Sequence, residues 1–269
     1  MSGNDIARPE AGRIGMAPEN AVAVVIILFV FAVWEVVVRS GLTAPTSIPT
    51  PSYAIRVLWE MSEAGTLWKH TSASLLRITS GYLLAVGFGI PVGFLIAWFE
   101  PVRKYLDPLL QMFRQVPLIA WFPVFIFLFG IGELPKTLLV MLTAFWWILL
   151  STVAAVENID ADMVKTARAV GVSHWEMFTK IVLPAIAPSV FTAARLAYTE
   201  VIMVLVAVEM LGAKAGLGTL LANDGCHAGP EHVMMYSICM LLTVMGLVAN
   251  YALAALEKRV LIWKPESTD

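Results

Sequence analysis

The chain is a succession of apolar runs, each about as long as a membrane's hydrocarbon layer is thick. Ala21 to Val38 is unbroken by any polar cluster, and Leu75–Phe99, Val116–Ile131, Leu138–Val156, Pro188–Leu211 and Val233–Leu256 follow. Crossing about 30 Å of hydrocarbon takes roughly 20 apolar residues in a helix. Lipid offers no partner to a backbone N–H or C=O, so runs of this kind close their hydrogen bonds internally as α-helices. The pattern predicts an all-α polytopic membrane protein with six transmembrane helices. The membrane domain covers 21–256, between tails at 1–20 and 257–269. With 59% hydrophobic and 14% charged residues and a mean hydropathy of +0.78, the 269-residue chain lacks the polar surface to cover a soluble globule. A net charge of −2 argues against nucleic acid as a partner. The first nineteen residues are too polar for the core of a signal peptide, so the first run is expected to stay as a span.

Within the runs, prolines and glycines set local shape. Pro117 and Pro123 predict a kinked third span shielded by protein. Gly81, Gly87, Gly89 and Gly93 in the second run predict close helix–helix approach. Arg77 is expected to snorkel to the outer headgroups. Between the first two runs, Tyr53–Met61 is amphipathic and predicts a short helix on the outer face. With both termini cytoplasmic, eleven Lys and Arg fall on the inner side and six on the outer, which orients the six spans.

The polar stretch from Glu157 to Pro184 interrupts the apolar pattern most strongly. Asp160 is a good N-cap, with Asp162 acidic in the first turn. Gly171 permits a turn, and Ser173 with Glu176 has capping-box spacing. Pro184 is expected to end the second helix. The residues alone allow either a plain connecting loop or a functional helix-turn-helix.

Gly171, nine intervening residues, then Ile181, Leu183 and Pro184 resemble the G-x9-I-x-L-P core of the coupling loop in permease subunits of binding-protein-dependent ABC importers. That motif opens with E-A-A. Here Lys165, Thr166 and Ala167 stand in those places, so only the third matches. Four further segments are similar to the family's pattern: Ser47–Met61, Ser72–Gly93, Pro101–Lys136 and Val206–Leu221. The chain looks most like the subset carrying nitrate, sulfonate, taurine and similar small solutes. The resemblance implies a type I importer permease fold in a bacterial cytoplasmic membrane. It also implies a homodimer, two ATPase subunits that bind ATP and magnesium, and an extracytoplasmic solute-binding protein. The ATPase-coupling interface would comprise Lys165, Thr166, Ala167, Ala169, Val170, Gly171, Val172, Ser173 and His174, with Ile181, Leu183 and Pro184 closing the motif.

The chain itself carries no phosphate loop and no set of catalytic polar residues within its spans, so no cofactor and no enzyme activity are expected of it. Cys226, His227, Glu231 and His232 share an outer loop, but at no zinc spacing, and are read as solvated. Cys226 and Cys239 are read as unpaired. Glu200 is a carboxylate in an apolar run, hence either a pathway or gating group or a buried packing partner. Trp146 and Trp147 either line a pathway or pack against neighbours. The alternative to an importer subunit is a self-sufficient secondary transporter or channel coupled through Glu200. The absence of inverted repeats and the presence of the Gly171–Pro184 pattern speak against it.

Overall fold

The computed structural model describes residues 18–41, 48–225 and 233–261, all helix and short connections. In chain order the helices are α1 (Pro18–Arg39), α2 (Pro51–Glu63), α3 (Thr66–Trp98), α4 (Glu100–Arg114) and α5 (Phe122–Phe129). Then come α6 (Glu133–Glu157), α7 (Ala161–Ala169), the single turn α8 (His174–Glu176), α9 (Leu183–Gly212), α10 (Leu217–Gly225) and α11 (Val233–Val260). Among the described residues, α3, α6, α9 with its preceding turn, and α11 are long and apolar enough to cross a membrane.

A fifth crossing is broken. The expected third span, Val116–Ile131, is a 3₁₀ turn over Leu118–Trp121 followed by the short α5, and α4, which precedes it, meets the segment Leu118–Phe129 at 86°. Pro117 lacks an N–H and disfavours helix at the residue before it, so the chain turns there and restarts in a 3₁₀ turn over Leu118–Trp121. The bent pair still has to carry the chain across. Arg77, near the start of α3, meets Glu133 at the start of α6, whereas Ile96 and Ala97 near the end of α3 pack with Leu149 and Val153 near the end of α6. These two helices therefore run parallel, and the return between them falls to Phe99–Gly132.

Glycines bring α3 and α6 together in the most extensive helix–helix contact of the bundle. A Cβ on Gly81 would lie 2.6 Å from Val140 Cγ1, and one on Gly93 would lie 2.8 Å from the Leu149 carbonyl oxygen. Gly87, by contrast, faces open space. Ile78, Tyr82, Ala85, Val140, Ala144 and Ile148 fill this seam, and α9 seals it with Ala194, Ala197, Val201 and Leu205. Tyr82 donates its hydroxyl to the Ala194 carbonyl at 2.7 Å, so the polar tip is satisfied in the core.

At the end where α3 begins, α2 lies across the bundle and packs Met61 against Leu217, Leu220 and Ile238. Thr50 caps α2, and Glu35 at the end of α1 accepts from the Ser52 backbone and hydroxyl, tying the first helix to the second. The outward faces of α1 and α11 are apolar, with Phe29, Val36, Val248 and Tyr251 exposed, as suits helices facing hydrocarbon.

Replacing Gly93 with alanine should destabilise the protein by about 1–3 kcal/mol through overpacking against α6. Gly87→Ala should leave stability unchanged or slightly raised. Thermal unfolding of the two variants in detergent compares them directly.

Candidate functional site

Three features could serve transport: a cleft in the middle of the bundle, a buried ionic cluster at one end, and an exposed helix-turn-helix at the other.

The cleft, about 420 Å³, opens between the α4–α5 bend, α6 and α9. Its walls include Phe113, Arg114, Trp146, Trp147, Ser151 and Glu200, so the three residues the sequence singled out as pathway candidates share one space. Trp146 stacks on Phe113 with ring centroids 5.1 Å apart and planes 11° apart, which packs one face of that ring. Trp147 is 39% exposed. A second cleft, about 690 Å³, shares Ser151 and Ala154 with the first and follows α6 and α9 to Asn158, Asp160 and Met163. The two clefts thus lie on either side of Ser151 and Ala154, one reaching Glu200 and the other the start of the helix-turn-helix. Arg114 and Phe113 were not anticipated as lining residues, because it is the bend at Pro117 that sets the end of α4 beside the cleft.

The ionic cluster corrects the expectation for Arg77. Its side chain is 5% exposed and does not reach headgroups. It donates to Glu209 on α9, to Glu133 on α6 and, at 2.7 Å, to the Ala215 carbonyl. Glu209 is wholly buried and also accepts from Ser74 Oγ at 2.8 Å and from the Gly218 N–H at 2.9 Å. Gly216, at φ +144°, has its α-carbon against that carboxylate, where any Cβ would collide with it. Thus the sequence Glu209-Met-Leu-Gly-Ala-Lys-Ala-Gly-Leu-Gly is a carboxylate and the glycine loop wrapped on it. Nothing in the sequence pairs Arg77 with Glu209, since 132 residues separate them.

The helix-turn-helix is capped as its sequence predicts. Asp160 accepts from the Asp162 N–H, Ser173 and Glu176 form the reciprocal capping box, and Gly171 adopts φ +80°. Lys180 and Ser173 hold the Glu176 carboxyl down to about 2. That contribution to the cap is complete above the ordinary carboxylate range and fades only as pH falls toward 2. Lys165, Thr166, Ala169, Val170, Gly171 and Ser173 are exposed, and Val172 is half-buried. The side chain of His174 lies outside the described residues, as do Cys226, His227, Glu231 and His232.

Two expectations for this segment are corrected. Ala167 is buried against Met177, Val182 and Ile186, so it anchors α7 to the bundle and offers no docking surface. Pro184 does not end a helix. The chain widens into a π-helical turn over Met177–Val182 and runs straight into α9, with Pro184 in its first turn. The wider turn makes room for the proline ring and spares the N–H that proline lacks. Ile181 packs inward, and Leu183 faces an apolar surface shared with Phe94, Trp98 and Trp175. Trp175, 72% exposed, has the amphipathic character of an interfacial belt residue.

Comparison with known proteins settles the family. Residues 89–262 match the model for the binding-protein-dependent transport system inner membrane component. The chain belongs to that family. It is 30% identical to the taurine transport system permease protein TauC of Escherichia coli (strain K12), over 87% of this chain and 86% of that one. It is 31% identical to the nitrate import permease protein NrtB of Leptolyngbya laminosa, over 74% of this chain and 70% of that one. A chain of the MetNI methionine ABC transporter in an inward-facing conformation superposes with a TM-score of 0.62 at 19% identity, covering 76% of this chain and 98% of that one. The fold is therefore that of a type I ABC importer permease. In this permease the matched region holds the cleft, the helix-turn-helix and the Glu209 loop, and it starts within α3, after Arg77.

Arg77→Met should strand a buried carboxylate and cost about 3–5 kcal/mol, seen as loss of monodisperse protein in detergent. The pair Arg77→Met with Glu209→Leu should recover part of that loss.

Proposed function

We propose that this permease forms half of the translocation pathway of an importer for a small oxyanion-bearing solute of the sulfonate, taurine or nitrate kind. Two copies of the chain enclose the pathway in a bacterial inner membrane, both termini cytoplasmic. An extracytoplasmic binding protein delivers the solute, and two separate ATPase subunits bind ATP and magnesium. The six crossings are α1, α3, the bent pair, α6, α9 and α11.

One observation supports the coupling role above the rest. The exposed turn at Val170–Ser173 leads through α8 and the π-helical turn into α9 without a break, and α9 carries Glu200 into the cleft. A load placed on the turn is thus transmitted to the pathway wall by continuous helix. The ATPase contact consists of Lys165, Thr166, Ala169, Val170, Gly171, Val172, Ser173 and His174, where small side chains allow close seating. ATP-driven closure of the ATPase pair would then rock the bundle between outward and inward access.

A tagged chain should retain an ATPase subunit through purification. Gly171→Val, forcing a branched side chain into positive φ at a cost of about 1–2 kcal/mol, should abolish that retention while the permease stays folded. Uptake driven by an ion gradient with this chain alone would overturn the reading.

A further inference from the structure

The central cleft holds two ionic side chains that no described group of this chain answers. Glu200 on α9 and Arg114 at the end of α4 both line it. Among the described residues, neither makes a hydrogen bond or ion pair with the other or with any third group. That contrasts with Glu209, whose oxygens are saturated by an arginine, a serine and a backbone N–H. Glu200 is half-buried at mid-span and Arg114 is exposed, so both charges are open to a molecule that enters the cleft.

The wall beside them is aromatic. Trp146 and Phe113 form a stacked plate, and Trp147 stands partly open. A space of about 420 Å³ admits a small organic molecule.

We propose that this cleft is a transit site for a small zwitterion: an ammonium and an oxyanion joined by a short carbon linker. Glu200 accepts from the ammonium, whose charge also suits the neighbouring indole faces. Arg114 donates to the oxyanion, for which a guanidinium is the best-matched side chain. The aromatic wall covers the linker. The proposal rests on the importer reading and narrows its solute class. An inorganic oxyanion, or an alkyl sulfonate without an amine, would satisfy Arg114 but be repelled by Glu200. A simple amine would satisfy Glu200 and leave the guanidinium without a partner.

Saturation-transfer NMR on the full chain in nanodiscs tests this with three probes of similar size: taurine, ethanesulfonate and ethylammonium. Taurine should bind about tenfold more tightly than either single-charge analogue, one ion pair's worth of preference. Glu200→Gln should erase its advantage over ethanesulfonate, and Arg114→Gln its advantage over ethylammonium. The cross-comparisons matter, since mere loss of structure would abolish binding of all three probes together. Ethanesulfonate binding as tightly as taurine, a preference that survives both substitutions, or no transfer to taurine at all would each overturn the proposal. ATPase retention is read separately. If it persists while the zwitterion preference fails, the solute class falls and the importer reading stands.

Discussion

A buried arginine–carboxylate pair fixes the geometry of one end of this bundle. Burying charge is expensive, and the attraction of the pair offsets that cost only when the remaining donors and acceptors are also met. Arg77 and Glu209 meet that condition through Ser74, the Ala215 carbonyl and the Gly218 N–H. Satisfying them requires α3, α9 and the loop after α9 to hold one arrangement, and Glu133 brings in the start of α6. The glycines at 216 and 218 are consequences of the same requirement, because a side chain on either would enter the space the carboxylate and its helix occupy.

The opposite end is held differently. There, contacts between α7, the π-helical turn and the start of α9 are apolar: Ala167, Met177, Val182, Ile186 and Val190. Apolar packing is less directional than a saturated ionic cluster, so it tolerates sliding that the cluster does not. Of the described ion pairs toward this end, Lys104–Glu100, Lys165–Asp162 and Lys180–Glu176 are exposed and worth little, while Arg103–Glu157 and the 3.5 Å contact of Arg195 on α9 with Glu257 on α11 are partly buried. One end is thus pinned by a saturated cluster, and the other is held chiefly by apolar packing. That asymmetry suits a membrane machine worked from one side.

What could be read from the sequence followed period and length. The apolar runs of α3, α6, α9 and α11, the caps at Asp160 and Ser173, the turn at Gly171 and the close approach at Gly81, Gly89 and Gly93 are local or periodic signals, and the structure places each as the sequence suggested. The third run is bent at its start, and Gly87 meets open space. Pairings across long separations were not legible. Arg77 looked like a snorkelling residue because nothing nearby in sequence answers it. Arg114 looked like one more inner-side cation, since its place in the cleft depends on the bend at Pro117. Pro184 misled for another reason: proline stops a regular α-helix, but a π-helical turn just ahead of it removes the obstruction. Ala167 is the one residue that matches the motif's opening, yet its side chain packs in the core, since a small side chain suits a docking face and a tight core equally well.

The unbroken path from the turn to the pinned end has a mechanical corollary. About 35 residues of helix, some 50 Å at 1.5 Å per residue, separate His174 from Glu209, and Glu200 lies roughly 13 Å from the pinned end. A rod hinged at Glu209 is therefore a reducing gear of about four to one at the level of Glu200. A swing of several ångströms at the membrane surface arrives in the cleft as about one ångström. That is enough to make or break a hydrogen bond and too little to tear the seam with α6.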